Sequence, residues 1–152
     1  MITAAVVTFH TSRKDLVRLM DCVLQSSIDK FFIIDNSTND ALREFASASE
    51  RIAYIHSDNL GFGSGHNVAI NRAIDLGSDY HIIINPDIYW DGNIVEELAQ
   101  FMNENKDCGL LMPKILYPNG EIQYLCKLLP TPLDLFGRRS VSYTHLTLPT
   151  TP

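Results

Sequence analysis

Four short apolar runs, each closed by a polar cluster, constrain the fold of this chain more than any other feature. Residues 2–8 (ITAAVVT), 31–34 (FFII), 52–56 (IAYIH) and 80–84 (YHIII) are rich in β-branched and aromatic residues. Such near-continuous apolar runs suit strands buried on both faces, as in parallel sheets. Helical patterns lie between them. Ser12 can cap a helix whose Leu16, Leu19, Met20, Val23 and Leu24 recur on one face. A short helix is expected over residues 40–48. Another runs through Ile70, Ala73, Ile74 and Leu76 and stops at Gly77, and a further helix is expected over residues 92–105. Residues 110–112 are expected as a fifth strand, and Tyr117-Pro118-Asn119-Gly120 marks a turn with a hairpin around it.

Strands alternating with helices imply an α/β fold, a doubly wound and mostly parallel sheet with helices on both faces and right-handed crossovers. Ligands in such folds bind beyond the carboxyl ends of the strands. The polar clusters at the strand ends therefore carry the functional weight. They are Thr8-Phe9-His10, Asp35-Asn36-Ser37, the loop from Asn59 to Asn67, and Asn85-Pro86-Asp87. All four are expected on one edge of the sheet.

The 152 residues suit one domain, and the net charge of −6 argues against a nucleic-acid partner. Nucleotides stay open, because backbone amides and a metal ion can hold phosphates without lysines. Cys22, Cys108 and Cys126 are far apart and form no CxxC pair, which reads as free thiols in a reducing cytosol. No basic leader precedes the first apolar run, and no run approaches the ~18 apolar residues of a membrane span. A cytoplasmic location is expected, with membrane contact only through further sequence.

Each motif has a plain reading beside a functional one. Asp35 is a turn aspartate bonded to its own backbone, or a carboxylate that receives hydrogen bonds from a base or ribose. Gly61-Phe62-Gly63-Ser64-Gly65 suggests close backbone approach to a phosphate at a helix N-terminus. It is not GxGxxG, which would need glycine where His66 stands, and no GxxxxGK[ST] is present. Asp87 is a turn or cap residue, or a ligand for Mg²⁺ or Mn²⁺ whose shell a diphosphate completes. Trp90 is more readily a packing residue than a sugar platform.

Taken in order, VVTFH, IIDNS, DNLGFGSGHN and IIINPDI resemble the donor-binding half of family 2 glycosyltransferases, especially rhamnosyltransferase-like members, over residues 2–139. The resemblance implies a GT-A fold. It implies transfer of a sugar, with rhamnose suggested, from a nucleotide-sugar donor to an acceptor hydroxyl, with inversion, in surface polysaccharide synthesis. The acceptor would be a saccharide or a lipid-linked saccharide. By the same resemblance, Thr8, Phe9, His10, Asp35, Asn36 and Ser37 contact the nucleoside. Asn59, Gly61, Phe62, Gly63, His66 and Asn67 line the diphosphate and sugar. Asn85 and Asp87 stand at the metal-binding Asp-x-Asp position, with Asn85 in place of the first aspartate, so Mg²⁺ or Mn²⁺ falls to Asp87.

The family's downstream Glu-Asp base motif has no match after Asp87, and Glu96-Glu97 lies in an expected helix. Residues 1–139 are therefore expected to be the nucleotide-sugar-binding part of a truncated GT-A domain, inactive for want of its base. Residues 140–152 read as a non-native tail, because Val141 to Thr150 resembles a translation of transposon-end adapter DNA. Two other readings stay open: a nucleotidyltransferase-like nucleotide-binding enzyme, and a non-catalytic α/β module that binds protein partners.

Overall fold

In the computed structural model, which describes residues 1–123, the four apolar runs form four parallel strands. Strand β1 (Ile2–Thr8) leads to helix α1 (Arg13–Gln25) and strand β2 (Lys30–Asp35). A 3-10 helix (Arg43–Ala48) precedes β3 (Ile52–His56), followed by α2 (Phe62–Asp75), β4 (Tyr80–Ile84) and α3 (Ile94–Glu104). The sheet order is β3-β2-β1-β4. The chain winds outward from β1 to β3 and then crosses to the other side of β1. The strand order thus reverses beside β1, the position where open α/β sheets leave a crevice for ligands.

Alternation along the buried strands feeds two apolar layers. Ala4, Val6, Phe31 and Ile33 pack with Leu16, Leu19, Met20 and Val23 of α1, with Phe45 of the 3-10 helix and with Val95 of α3. Ala5, Val7, Phe32 and Ile34 form the other layer with Ala69 of α2. Helix α2 lies close to the sheet because Gly65, Ala69 and Ala73 recur every fourth position along its buried side. A Cβ on Gly65 would sit 2.8 and 2.9 Å from the two methyl groups of Val7.

Helix ends are closed in different ways. Gly77 (φ +69°) ends α2: its N–H donates to the Ile74 carbonyl at 2.9 Å, and the Ser78 N–H donates to that of Ala73 at 3.0 Å. That pairing satisfies the orphan carbonyls of the last turn. At the end of α1, the Arg51 guanidinium donates to the carbonyls of Leu24 (2.7 Å), Ser26 (3.2 Å) and Ile28 (2.9 Å). Ser12 occupies the cap position of α1, but its hydroxyl makes no capping bond.

Three expectations are corrected. The glycine-rich stretch is not a loop: α2 begins at Phe62, so Gly63, Ser64 and Gly65 form its first turn, and only Gly61 (φ +92°) lies outside. The helix expected over 40–48 is the 3-10 helix over Arg43–Ala48. Residues 110–112 are not a strand, and Leu110 is 88% exposed, so an apolar triplet alone does not make one there.

Residues 1–109 form one compact unit, and a second begins at Leu110. Within the second, the expected hairpin appears as an antiparallel bridge between Leu116 and Ile122 around the Tyr117–Gly120 turn. The expected boundary at residue 139, the adapter-like tail and Cys126 lie outside the described residues.

The close contact at Gly65 generates a prediction. Gly65→Ala should destabilise the fold by about 1–3 kcal/mol through overpacking against Val7. Gly63→Ala, two positions away in the same turn and with open space where its Cβ would stand, should be neutral or slightly stabilising, because alanine favours helix over glycine. Urea unfolding of both variants decides it; equal effects would sink the packing account.

Candidate functional site

Register brings the strand ends together. Thr8 pairs with Asp35, Asp35 with His56, and Val6 with Ile84. The polar clusters that follow β1, β2 and β4, and the start of α2 after β3, therefore all lie at the carboxyl edge of one sheet.

Asp35 is fully buried. Its Oδ1 accepts from the Thr8 hydroxyl at 3.0 Å and from the Ser37 N–H at 3.1 Å, and its Oδ2 accepts from the Tyr54 hydroxyl at 2.8 Å. Burial alone pushes this carboxyl up, but the hydrogen bonds from Ser37, Tyr54 and Thr8 outweigh it and hold it below the ordinary aspartate value. Burial and the same contact with Asp35 raise the Tyr54 phenol. The Ser37 hydroxyl in turn accepts from the His10 N–H at 2.9 Å, and His56 Nε2 lies 2.8 Å from the Ser37 carbonyl. His10 sits in a left-handed conformation (φ +50°), edge-on to Phe9, whose ring is half exposed.

Asn36 faces the opposite side of the sheet from Asp35, as strand alternation requires. Its Oδ1 accepts from the Ser57 hydroxyl at 2.9 Å. Asn36, His56, Ser57, Asp58, Leu60 and Ser64 line an open cleft of about 460 Å³ between the β2 and β3 ends and the first turn of α2. Asn59 accepts from the Gly61 N–H at 3.1 Å, which shapes the entry into α2. The N-terminus of α2, with its unpaired amides and positive dipole end, borders this cleft. Phe62 and Asn67 are exposed, and Gly63 has open space where a side chain would be.

His66 differs from the lining residue that the resemblance implies. It is 3% exposed, lies edge-on to Phe62 at 4.4 Å, and has no hydrogen-bond partner on either ring nitrogen among the described residues. Burial lowers its pKa and keeps it neutral. His81 is similar: burial and the nearby His66 lower its pKa, its Nδ1 lies 2.8 Å from the Thr3 hydroxyl, and its Nε2 has no partner among the described residues.

Beyond β4, the Ile88 N–H donates to the Asn85 carbonyl at 3.2 Å, closing a tight turn with Pro86 second. Asn85 and Asp87 are exposed, and Asp87 accepts no hydrogen bond among the described residues. No three histidines, cysteines or carboxylates among the described residues gather to hold a metal ion. The Asn85 carbonyl oxygen and the Asp87 carboxylate are hard donors suited to Mg²⁺ or Mn²⁺. The pair fits such an ion only when a bound anion and water complete the shell. The turn shares no hydrogen bond with the Asp35 network.

Among the expected residues, then, Thr8, His10, Asp35, Asn36 and Ser37 are joined in one network, and only Asn36 of them lines the cleft. Ser57 and Asp58 were missed, although they end a strand at the same edge and the strand-end rule covers them. Tyr54 had no such signal. No helix among the described residues is long and apolar enough to cross a membrane.

The sequence profile of glycosyl transferase family 2 matches residues 4–125. A low-salt glycan biosynthesis hexosyltransferase of Haloferax volcanii is 26% identical over 117 residues, 76% of this chain. The chain spans 37% of that relative's length. Among solved structures, the crystal structure of S. aureus TarS shares the fold with a TM-score of 0.56 at 18% identity, over 69% of this chain and 20% of that one.

Two predictions concern pH. The lowered pKa values of His66 and His81 mean that the unfolded chain binds more protons than the folded one below about pH 6.5, the ordinary histidine value. Stability is thus full above that pH and falls as the solution is acidified. His66→Leu should flatten the drop in urea midpoint between pH 7.5 and 5, and a wild-type midpoint constant over that range would refute the account. Asp35, whose pKa is lowered, contributes stability that is present above its unfolded pKa and lost as pH falls through its folded one. Tyr54→Phe removes a donor from this carboxylate, so it should cost about 1.5–3 kcal/mol at pH 7 and move acid unfolding to higher pH. Circular dichroism during acid titration reads both effects.

Proposed function

Because the chain belongs to glycosyl transferase family 2, we propose that it binds the nucleotide-sugar donor of a sugar-transfer reaction at the carboxyl edge of its sheet. The observation that carries this reading is that a cleft with a helix N-terminus at the β2 and β3 ends, and an exposed carboxylate turn after β4, stand at that one edge on either side of β1.

In this reading the nucleoside enters the cleft and meets Asn36, Ser57 and Asp58. Phe9 and His10 extend the site on the β1 side, and the buried Thr8 acts through Asp35. Asp35 acts from beneath by fixing the loop that presents Asn36. The diphosphate lies toward Gly61, Phe62 and Gly63, where a helix N-terminus favours anions. Asn59 sets the geometry of that entry, and Asn67 continues the exposed rim toward the sugar. His66 supports Phe62 from inside.

Asp87, with Asn85, holds a divalent cation together with diphosphate oxygens. Bound there, Mg²⁺ or Mn²⁺ would offset the charge that builds on the departing nucleoside diphosphate. A carboxylate base would take the proton of the acceptor hydroxyl as it attacks the anomeric carbon, with inversion. That base is assigned to the part of the relatives' length that this chain does not span. The sugar is a hexose, rhamnose by resemblance to the rhamnosyltransferase-like members. The acceptor is a saccharide or lipid-linked saccharide, and the reaction belongs to surface glycan assembly on the cytoplasmic side.

Calorimetric titration with nucleoside diphosphates, with and without Mn²⁺, tests this. Mn²⁺ should tighten nucleotide binding and bind poorly alone, because the protein offers it a single carboxylate. Asp87→Ala should abolish that gain and leave metal-free binding intact. Asp35→Ala should weaken binding in both conditions. No nucleotide binding, or a Mn²⁺ gain unchanged in Asp87→Ala, would refute the site.

A further inference from the structure

We infer that Arg18 and Cys22, on the outside of α1, are positioning residues that set where the Asn85-Pro86-Asp87 turn stands. The inference rests on the reading of Asp87 as the cation ligand.

Asp87 has little to hold it. It is exposed, accepts no hydrogen bond among the described residues, and its turn is closed by one backbone bond, Ile88 N–H to the Asn85 carbonyl. The position of its carboxylate therefore depends on what fixes the chain just after it. Those residues are gripped by α1. The Arg18 guanidinium lies over the Tyr89 ring, 3.7 Å from its centroid. The Cys22 thiol donates to the Trp90 carbonyl at 3.2 Å, and the Trp90 N–H donates back to the Cys22 sulfur at 3.4 Å. Ile88 and Trp90 also pack against the apolar layer under α1.

The spacing makes the grip possible. Residues four apart on a helix stand one above the other on the same face. Arg18 and Cys22 thus meet two consecutive residues, Tyr89 and Trp90, of the segment after the turn. The reciprocal Cys22–Trp90 pair fixes the backbone at one residue, and the stacked guanidinium fixes the preceding side chain. Each bond is weak, since a thiol is a poor donor and acceptor and a cation–π contact at an exposed site contributes little. Their value lies in placement, because loosening the groups that orient a metal ligand lowers ion affinity by about 10–100-fold in known sites.

The experiment uses the whole chain and the same calorimetry, with a nucleoside diphosphate and Mn²⁺ as probes and melting temperature as a second readout. Arg18→Ala and Cys22→Ala should each reduce the Mn²⁺-dependent gain in nucleotide affinity by about tenfold, at the low end of that range. Metal-free affinity should stay at the wild-type value. Cys22→Ser, which keeps a donor and an acceptor, should recover most of the gain, and Arg18→Lys, which loses the planar stack, only part of it. Arg18 is on an exposed face, so its variants keep the test decisive if Cys22→Ala does not fold.

A gain that survives in both Arg18→Ala and Cys22→Ala, while Asp87→Ala abolishes it, overturns the inference and leaves the cation site standing. A parallel fall of metal-free affinity, metal-linked gain and melting temperature also overturns it, because that pattern reports general support of the fold. A gain that persists in Asp87→Ala removes the site and this inference with it.

Discussion

The ligand edge depends on one buried carboxylate. Asp35 has no exposed surface, and a charge taken out of water is tolerated only when hydrogen bonds replace its hydration. Its donors come from three places: Thr8 at the end of β1, Ser37 in its own loop and Tyr54 in β3. No single strand could satisfy it. A slip in register between β1 and β2, or between β2 and β3, would leave the charge orphaned, so the network fixes how three strand ends stand beside one another. The geometry of the edge follows from that. With Asp35 locked on the α1 side, alternation turns Asn36 to the α2 side, where Ser57 meets it at the cleft.

This arrangement changes what the aspartate in the IIDNS stretch is for. Read from the sequence, Asp35 was either a turn residue or a ligand-facing carboxylate. In the structure it bonds its own loop, as the plain reading has it, and also ties that loop to two neighbouring strands. The two readings were never exclusive, since a carboxylate that rigidifies a loop controls the residues the loop presents.

The fold was legible because parallel strands buried on both faces read as unbroken apolar runs, and helices between them show one apolar stripe. The strand-end rule then located the edge. What stayed illegible depends on tertiary register. Tyr54 sits in a strand that looks like any other, and only its pairing with Ile33 carries its hydroxyl to Asp35. Arg51 closes the end of α1 from a position far along the chain. His66 reads as a loop residue because the glycines before it suit a loop, whereas α2 already begins at Phe62. The triplet at residues 110–112 reads as a strand because apolar composition alone does not fix a backbone conformation.

The glycines at the start of α2 show how much one short stretch can carry. Gly61 adopts a backbone conformation that other residues resist, and it turns the chain into the helix. Gly65 is small because Val7 leaves no room for a Cβ, so its reason is internal packing. Gly63 answers to neither requirement. It lies in the first turn of the helix, where glycine is a poorer helix former than alanine, and apart from its chain neighbours and the helix's own backbone no described atom stands within 4 Å of where its Cβ would be. The glycine-rich pattern thus divides into one residue that turns, one that packs, and one whose bareness no part of the chain requires. That third residue sits in the first turn of α2, beside open amides and the cleft, where the absence of a side chain matters to whatever approaches the helix end.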